Sequence, residues 1–471
     1  MASPTEELAA HAAHAEPSTT VTLMFAAVLI GMIVTLALEE RLHAKKSVIT
    51  GMYAVIALAL GHVTHVLPFG PVVNVFGEEL ELPVYIQGID WGVIAIILGS
   101  SLFVDVTSRS GLFTYIAIKL TKASGGDPFR LLVAYGLMTV VFSALLNNVT
   151  AMIIVGSLTA VSLEKLDAKE KLLGFLLIEG LLTNIGGLLT LISSVPNIIV
   201  GAAAGISFVA FFQVAAGYVV VATTLTLAMG AQRYDVVGLR DEGAKELARE
   251  RVAAFDERDG VESNGFFTFA AFMLVAFIAS IAASSVFDYP LGMGFVAMAF
   301  GMTMLLRFKG TADRFYRTLD WDLLLFFAFL FIVINVMEHA EVLALIGEGL
   351  AAIIDLNERA DGAGTAATLV SAAGFSAVTD NIPLAAMLAR ILEGMAPLSD
   401  DRLWWSVIFG ANLGGNLTPI GSASTVVAVT LMHKHGLAMS FGAFVKAAAL
   451  FALVQIALAV AYVLFVVPLV G

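Results

Sequence analysis

The sequence predicts an all-α polytopic membrane protein with two inverted-topology repeats and about ten to twelve spans. The composition is strongly apolar, long apolar runs recur along the chain, and one unusual polar segment occurs twice. Of the 471 residues, 59% are hydrophobic and 13% are charged, and the mean hydropathy is +0.92. Because about 25% of the residues in soluble domains are charged, this composition excludes an ordinary soluble domain.

Candidate membrane spans are visible as uninterrupted apolar runs, for example at 21–38, 266–287 and 447–470. Each run is long enough to cross a hydrocarbon core of about 30 Å as a helix. A transmembrane barrel would show short alternating segments instead. Residues 1–20 lack the basic region of a signal peptide and are predicted to form a polar N-terminal tail.

The placement of basic residues predicts the orientation. Arg41, Lys45 and Lys46 follow the first span, whereas 66–88 contains neither lysine nor arginine. Since basic loops stay in the cytoplasm, we expect the N-terminus outside the plasma (inner) membrane. The charged stretch 232–264 is predicted to be a partly helical cytoplasmic linker between a first membrane repeat, 21–231, and a second, 265–471. It is too short for a nucleotide-binding domain, so ion gradients are the predicted energy source.

Three sequence markers indicate that the chain is an internal duplication. "NIGGLLTLISSVPN" at 184–197 returns 228 positions later as "NLGGNLTPIGSAST", "SALLNNVT" at 143–150 matches "SAVTDNIP" 233 positions on, and "IDW" at 89–91 matches "LDW" 230 positions on. The "IDW" span runs toward basic residues and the "LDW" span away from them, which indicates opposite insertion. Opposed repeats are typical of secondary transporters, although channels and non-transporting scaffolds can also be duplicated.

The polar residues of these segments interrupt apolar runs, so the freed backbone must lie inside protein or along a watery cavity. Half-helix amino termini there attract anions, and carbonyl or side-chain oxygens can surround Na⁺. Helix capping or interhelical hydrogen bonding is the alternative role for each amide. The predicted binding residues of the repeated segment are Asn184, Gly186, Gly187, Thr190, Ser194, Asn197, Asn412, Gly414, Gly415, Asn416, Thr418, Ser422 and Ser424. Those of the companion segment are Ser143, Asn147, Asn148, Thr150, Ser376, Asp380 and Asn381.

Two acidic residues near these segments are candidates for proton coupling. Carboxylates inside a membrane are costly and therefore indicate function by default. Asp380 is predicted to be a site that takes up either H⁺ or Na⁺, with a structural role at a helix break as the alternative. Glu179 lies five residues before Asn184 and is predicted either to carry a second proton or to be a neutral core acid.

The four polar segments resemble signature stretches of the ion transporter superfamily, in the branch of arsenite permeases, NhaD-type sodium/proton antiporters and the melanosomal P protein. This resemblance implies a re-entrant helical hairpin and a broken helix in each repeat, and a homodimer with a scaffold and a moving transport domain. Near relatives commonly read "DNVTT" and "GDPPN", whereas this chain reads "NNVTA" and "SSVPN". Asn147 therefore replaces an expected carboxylate, and a second aspartate is also missing.

Three functions stay open at this level. Sodium/proton antiport is favoured by the neutral oxygens around one acidic residue. Transport of a small anion or oxyacid, such as arsenite or a carboxylate, is favoured by the helix amino termini. A channel or non-transporting scaffold is the third possibility. Enzymatic activity is not predicted, because phosphate-binding loops, nucleophile elbows and metal-spaced His/Glu pairs on one helix face are absent from the sequence. The expected partners are the lipid bilayer and the transported ion, with Na⁺ or H⁺ as coupling ions and no other cofactor. The net charge of −13 argues against nucleic acid.

Overall fold

The computed structural model describes residues 17–68, 71–73, 77–287, 291–395, 398 and 400–470. Most of the predicted polar tail, residues 1–16, lies outside this range. The longer helices are α1 (Thr19–Ala37), α2 (Lys46–Val63), α3 (Trp91–Arg109), α4 (Leu112–Ala123), α5 (Pro128–Leu145), α6 (Asn148–Lys165), α7 (Leu172–Gly187), α8 (Val195–Ala203), α9 (Phe208–Arg233), α10 (Glu242–Ala253), α11 (Asn264–Val286), α12 (Gly292–Leu305), α13 (Trp321–His339), α14 (Val342–Ile354), α15 (Ala363–Ser376), α16 (Asn381–Gly394), α17 (Arg402–Gly414), α18 (Ala423–Lys434) and α19 (Phe441–Phe465).

Several short elements connect the longer helices. The strands β1 (Val72–Val73) and β2 (Glu79–Leu80) pair antiparallel. Short α-helices lie at Glu39–Leu42, Val84–Gln87, Asp313–Tyr316, Leu356–Arg359 and Val467–Val470, and 3₁₀ turns at Lys169–Lys171 and Leu306–Phe308.

The long helices have the length and surface of membrane spans. Within the described residues, eight helices have at least 18 residues and are apolar enough to cross a membrane: α1, α2, α3, α5, α9, α11, α13 and α19. Their outer faces stay apolar, as on α11, where the Phe272 and Val275 side chains are 66% and 68% exposed. Lipid, unlike water, solvates such faces without cost. The all-α polytopic fold is confirmed, with eight candidate spans among the described residues.

The same order of elements occurs in both halves, in agreement with the duplication. Each half begins with two apolar helices (α1 and α2, or α11 and α12), followed by a long helix and a shorter one (α3 and α4, or α13 and α14). A pair of helices with a break at its tip comes next (α5–α6, or α15–α16), then an interrupted helix (α7–α8, or α17–α18) and a final long helix (α9, or α19). We call the pair α5–α6 hairpin 1 and α15–α16 hairpin 2, and the pair α7–α8 broken helix 1 and α17–α18 broken helix 2. The breaks fall at 146–147 and 377–380 in the hairpins, and at 188–194 and 415–422 in the broken helices, where the sequence predicts them.

Packing divides the chain into two compact units, and each unit takes segments from both halves. One unit contains the chain up to Ile94 and Asp320–Ala352, and the other contains Ala95–Leu319 and the chain from Ile353 onward. In the first unit, α2 packs against α1 and α13. Asp322 Oδ1 at the start of α13 accepts hydrogen bonds from the backbone N–H and the hydroxyl of Ser47, at 3.1 and 2.6 Å. The second unit contains both hairpins and both broken helices.

The charged linker is partly helical, as predicted, and it docks within the second unit. Its helix α10 contacts α4 and α6. Arg251 donates to the Leu166 carbonyl at 2.9 Å and pairs with Asp167 at 2.7 Å. Lys122 lies 2.9 Å from Glu257, and its hydrogen bond lowers the pKa of that carboxyl. The linker therefore holds the ends of α4 and α6.

Replacement of Asp322 by alanine tests the junction between α2 and α13. The variant leaves two donors of Ser47 without their acceptor, so the free energy of unfolding in detergent is expected to fall by about 1–3 kcal/mol. The exposed Asp259→Ala change in the linker is the control and should leave unfolding unchanged within about 0.5 kcal/mol. Equal stability of both variants in thermal or denaturant unfolding would contradict the role given to Asp322.

Candidate functional site

The two broken helices are interrupted in the same way. Their first halves end at Gly187 and Gly414, and their second halves begin directly after Ser194 and Ser422. The side chains of both serines are buried. A helix that ends inside the protein leaves carbonyls without intrahelical partners, and these must find others.

Hydrogen bonds join the two breaks reciprocally. Asn184 of broken helix 1 donates from Nδ2 to Ser422 Oγ of broken helix 2 at 2.9 Å. In return, Ser194 Oγ of broken helix 1 donates to Asn412 Oδ1 of broken helix 2 at 2.7 Å. Each asparagine and each serine is related to its counterpart by the same offset of 228 positions. The two repeats therefore meet around a local two-fold relation.

Further amides extend this contact into a buried polar cluster. Asn412 Nδ2 donates to Asn197 Oδ1 and Asn184 Nδ2 donates to Asn416 Oδ1, both at 2.8 Å. Ser424 Oγ lies 3.3 Å from Asn184 Oδ1. We use the name polar cluster for Asn184, Ser194, Asn197, Asn412, Asn416, Ser422 and Ser424. Each member is at most 9% exposed, so neutral oxygens and amides line the centre of the second unit.

The hairpin tips dock on the breaks through matched hydrogen bonds. Ser143 of hairpin 1 donates to the Thr183 carbonyl at 2.6 Å, and Ser376 of hairpin 2 donates to the Ala411 carbonyl at 2.5 Å. In the opposite direction, Thr190 donates to the carbonyl of Ala144 at 2.6 Å, and Thr418 donates to that of Ala377 at 2.5 Å. Hairpin 1 thus rests on broken helix 1, and hairpin 2 on broken helix 2, in equivalent ways.

Glycines make this close approach possible. A Cβ on Gly186 would lie 2.7 Å from the Val140 carbonyl oxygen, and a Cβ on Gly414 would overlap the Ala373 carbonyl in the same manner. Gly187 packs against the Asn148 amide, because a Cβ on Gly187 would lie only 2.8 Å from Asn148 Oδ1. Gly415 packs against Ser422 and Gly421 of its own break. The glycines therefore act through their small size.

The hairpin tips carry the residues that distinguish the two halves. Asn147 caps α6, where its Oδ1 accepts from the Thr150 N–H at 2.7 Å. Asp380 occupies the equivalent place on α16, where its Oδ1 accepts from the Ile382 N–H at 3.0 Å. Asn147 is exposed and Asp380 is half-buried. Only the second tip thus presents a carboxylate at this position.

Four helix amino termini begin at the tips and breaks, namely those of α6, α8, α16 and α18. Each carries a partial positive charge of about half an elementary charge. Broken helix 1 packs its second half on hairpin 2, through α8 and α16, and broken helix 2 packs its second half on hairpin 1, through α18 and α6. The region can consequently hold either an anion at the amino termini or a cation among the neutral oxygens.

Glu179 lies apart from the cluster, on α7. Its side chain is fully buried, and Oε1 accepts a hydrogen bond from Thr159 Oγ1 at 2.6 Å. Among the described residues, Oε2 has no hydrogen-bond partner. This acid is therefore a buried carboxyl with one oxygen not engaged.

The structure brings together many of the residues that the sequence singles out. The predicted asparagines and serines of the two broken helices form the polar cluster, with Asn148 joined to Asn184 by a longer contact of 3.4 Å. The predicted threonines, Thr190 and Thr418, contact the hairpin tips instead. The remaining tip residues, Asn147, Thr150, Asp380 and Asn381, are half-buried or exposed.

Sequence reasoning missed Gln455 of α19, which is 2% exposed. Its Oε1 accepts from Asn416 Nδ2 at 2.8 Å, and its Nε2 donates to Thr226 Oγ1 at 3.0 Å. An isolated glutamine inside the apolar run 447–470 was a signal that could have found it.

This construction, with interrupted helices facing each other inside a bundle of apolar spans, is that of a multi-pass membrane transporter. The comparison with known families agrees. Residues 33–408 match the sequence model of the family described as "Citrate transporter", and the chain belongs to this family.

Individual relatives extend the assignment. An uncharacterized transporter of Mycobacterium tuberculosis is 31% identical over 391 residues, which cover 80% of this chain and 86% of that protein. The P protein of Homo sapiens is 24% identical and covers 87% of this chain, which spans 58% of the P protein's length. The resemblance to the ion transporter superfamily is confirmed.

A solved structure has the same fold. The YdaH transporter of Alcanivorax borkumensis superposes with a TM-score of 0.57 at 12% identity, over 89% of this chain and 98% of that one.

A double-mutant cycle tests the reciprocal contact. Asn184→Ala and Ser422→Ala each leave a buried partner behind, and together they should be less destabilising than the sum of the two changes. We expect a coupling of about 0.5–3 kcal/mol in the free energy of unfolding. The control pairs Asn184→Ala with Thr268→Ala, whose hydroxyl bonds within its own helix; these effects should add. Additivity in the Asn184/Ser422 pair would contradict the contact.

Replacement of Gly414 by alanine tests the close packing of hairpin 2 on broken helix 2. The new Cβ would overlap the Ala373 backbone, so the free energy of unfolding should fall by about 1–3 kcal/mol and transport should be lost. Gly374→Ala on α15 is the matched control, because a Cβ there meets nothing within 4 Å. It should be neutral or stabilising by up to about 1 kcal/mol. Equal tolerance of both changes would speak against the packing role.

Proposed function

We propose that this transporter is a secondary active sodium/proton antiporter in which Asp380 takes up either H⁺ or Na⁺. The observation that supports an ion-binding centre is the reciprocal hydrogen bonding of the two breaks, Asn184 to Ser422 and Ser194 to Asn412. It brings both repeats to one polar region, as alternating access around a fixed site requires.

The chemistry of this region suits a small cation. Na⁺, like other hard cations, prefers oxygen ligands, and the polar cluster and the freed carbonyls of the breaks supply neutral oxygens. Asp380 adds one negative charge at the tip of hairpin 2, three residues from Ala377, whose carbonyl contacts Thr418 of broken helix 2. One carboxylate can hold a proton or help to bind one Na⁺. Competition between the two ions for this group then couples their opposite movements.

A second candidate is ion-coupled transport of a small anion or oxyacid. The specific observation in its favour is that four helix amino termini begin at the tips and breaks, where their partial positive charges attract carboxylates or oxyanions. The description of the family as citrate transporters also favours transport of an anion. In this alternative, Asp380 carries only the coupling ion.

Purified protein in liposomes separates the two candidates. Antiport predicts that a pulse of Na⁺ or Li⁺ dissipates an imposed pH gradient between about pH 6 and 9. Anion transport predicts instead that citrate or arsenite moves protons or Na⁺ while Na⁺ alone does not. A conductance of single-channel size in planar bilayers would contradict both.

Asp380→Asn tests the proposed coupling residue. The amide keeps the N-cap oxygen but cannot exchange a proton, so Na⁺-driven proton movement should fall to the level of empty liposomes while the fold is retained. Asp241→Asn is the matched control, because Asp241 is also an aspartate that caps a helix, α10 of the linker, by accepting a hydrogen bond from the Ala244 N–H. Full coupling in the Asp380 variant would remove this residue from the proposed role.

A further inference from the structure

A series of fully buried hydroxyl groups lies between the end of α4 and Glu179. Thr121 Oγ1 of α4 lies 2.6 Å from the hydroxyl of Tyr135 on α5, and this hydroxyl lies 2.7 Å from Ser162 Oγ on α6. Thr159 on α6 then donates to Glu179 on α7 at 2.6 Å. All five side chains have an exposed fraction of 0%. Polar groups so deep in an apolar bundle call for a reason beyond packing.

The two parts of this series meet on one helix. Ser162 and Thr159 are three residues apart on α6, so they lie on the same face, about one turn from each other. At one end, the series begins at Thr121, beside Lys122 in the last turn of α4. At its other end, Glu179 lies about one turn from Thr183, whose carbonyl accepts from Ser143 at the tip of hairpin 1. The series therefore leads from the last turn of α4 toward broken helix 1 and the tip of hairpin 1.

Glu179 has the surroundings of a group that changes its proton content. Oε1 is engaged by Thr159, while Oε2 has no hydrogen-bond partner among the described residues. A buried carboxylate with one hydrogen bond is costly when ionised and carries its charge only transiently, unless a cation joins it. Ala428 of α18 packs against the neighbouring Gly180. Among the described residues, Tyr135 of α5 is a titratable side chain close enough to interact electrostatically with Glu179.

We propose that Glu179 is a second proton-binding site and that the hydroxyls of Thr121, Tyr135, Ser162 and Thr159 are the route by which protons reach it from the membrane face where α4 ends. Each hydroxyl accepts one proton and passes on its own, so that the net change is one proton gained by Glu179. The step from Ser162 to Thr159 spans about 5 Å along α6, and the proposed route requires one bridging water to complete it. The proposal rests on the proposed proton coupling, and it holds for either transported species.

The test compares proton movement with exchange of the transported species in liposomes. Tyr135→Phe and Ser162→Ala remove one relay hydroxyl each, and Glu179→Gln removes the exchangeable proton while keeping the shape of the side chain. We expect proton-coupled transport to fall at least about tenfold in each variant. Exchange of labelled for unlabelled Na⁺, or of citrate or arsenite if one of these is the species moved, requires no net proton and should stay at the wild-type rate.

The control is Thr139→Val, which removes another fully buried hydroxyl from α5. Within the part of the chain that the structure describes, this hydroxyl bonds only to its own helix, at the Tyr135 carbonyl. It should leave both rates unchanged. Unaltered proton movement in the Tyr135 and Ser162 variants, or an equal loss of proton movement and exchange, would overturn the route while leaving the proposed function intact. Wild-type protein that moves no protons with Na⁺, citrate or arsenite would overturn the proposed function and the route together.

Discussion

The constraint on which the structure depends is that a helix interrupted inside an apolar bundle leaves backbone groups that must be bonded within the protein. The polar side chains at the breaks meet this need. Asn197 Nδ2 donates to the carbonyls of Gly187 and Thr190, at 2.7 and 3.0 Å, and Asn416 Nδ2 donates to that of Leu181 at 3.1 Å. The same amides join the two repeats. Under the proposed function, an ion would enter a network that is already hydrogen-bonded, and its binding would exchange some of these bonds for bonds to the ion.

The two repeats are alike in construction and different in charge. The tip of hairpin 1 has Asn147 where hairpin 2 has Asp380, and broken helix 1 has Leu188 where broken helix 2 has Asn416. Glu179 has Val407 as its counterpart. One repeat thus holds its acid at a hairpin tip and the other holds its acid along a broken helix. The two groups proposed to carry protons, Asp380 and Glu179, thus lie in different surroundings, although the order of helices is the same in both repeats.

Much of the fold could be predicted from the sequence because the physics of a membrane helix is local. Runs of apolar residues predict spans, and glycine and asparagine inside such runs predict the breaks that the structure has at 188–194 and 415–422. The constant offset between Asn184 and Asn412 predicts the duplication, but not which residue of one repeat meets which of the other. The crosswise contacts to Ser422 and Ser194 depend on how the helices pack, which local patterns do not encode.

The roles of isolated hydroxyls were beyond sequence reasoning for a different reason. Thr121, Ser162 and Thr159 lie in apolar helices where a threonine or serine usually bonds to its own backbone. Thr121 Oγ1 does contact the Ala117 carbonyl at 2.9 Å, and it also contacts Tyr135. Only the arrangement of three helices shows that these hydroxyls face one another. Gln455 is the opposite case, because a lone amide in an apolar span is visible in the sequence while its partner is not.

The most direct test of the central claim is cysteine cross-linking between the two breaks, and the chain contains no native cysteine to interfere. Ser194→Cys combined with Asn412→Cys, in a protein carrying a protease site in the linker 232–264, would be treated with oxidant or a short bifunctional thiol reagent and then cleaved. The reciprocal contact predicts that the two halves stay joined on a denaturing gel until reductant is added. It also predicts that Ser194→Cys combined with Gly374→Cys yields separate halves. Separation of the halves in the Ser194/Asn412 pair, despite complete labelling of both thiols, would contradict the account.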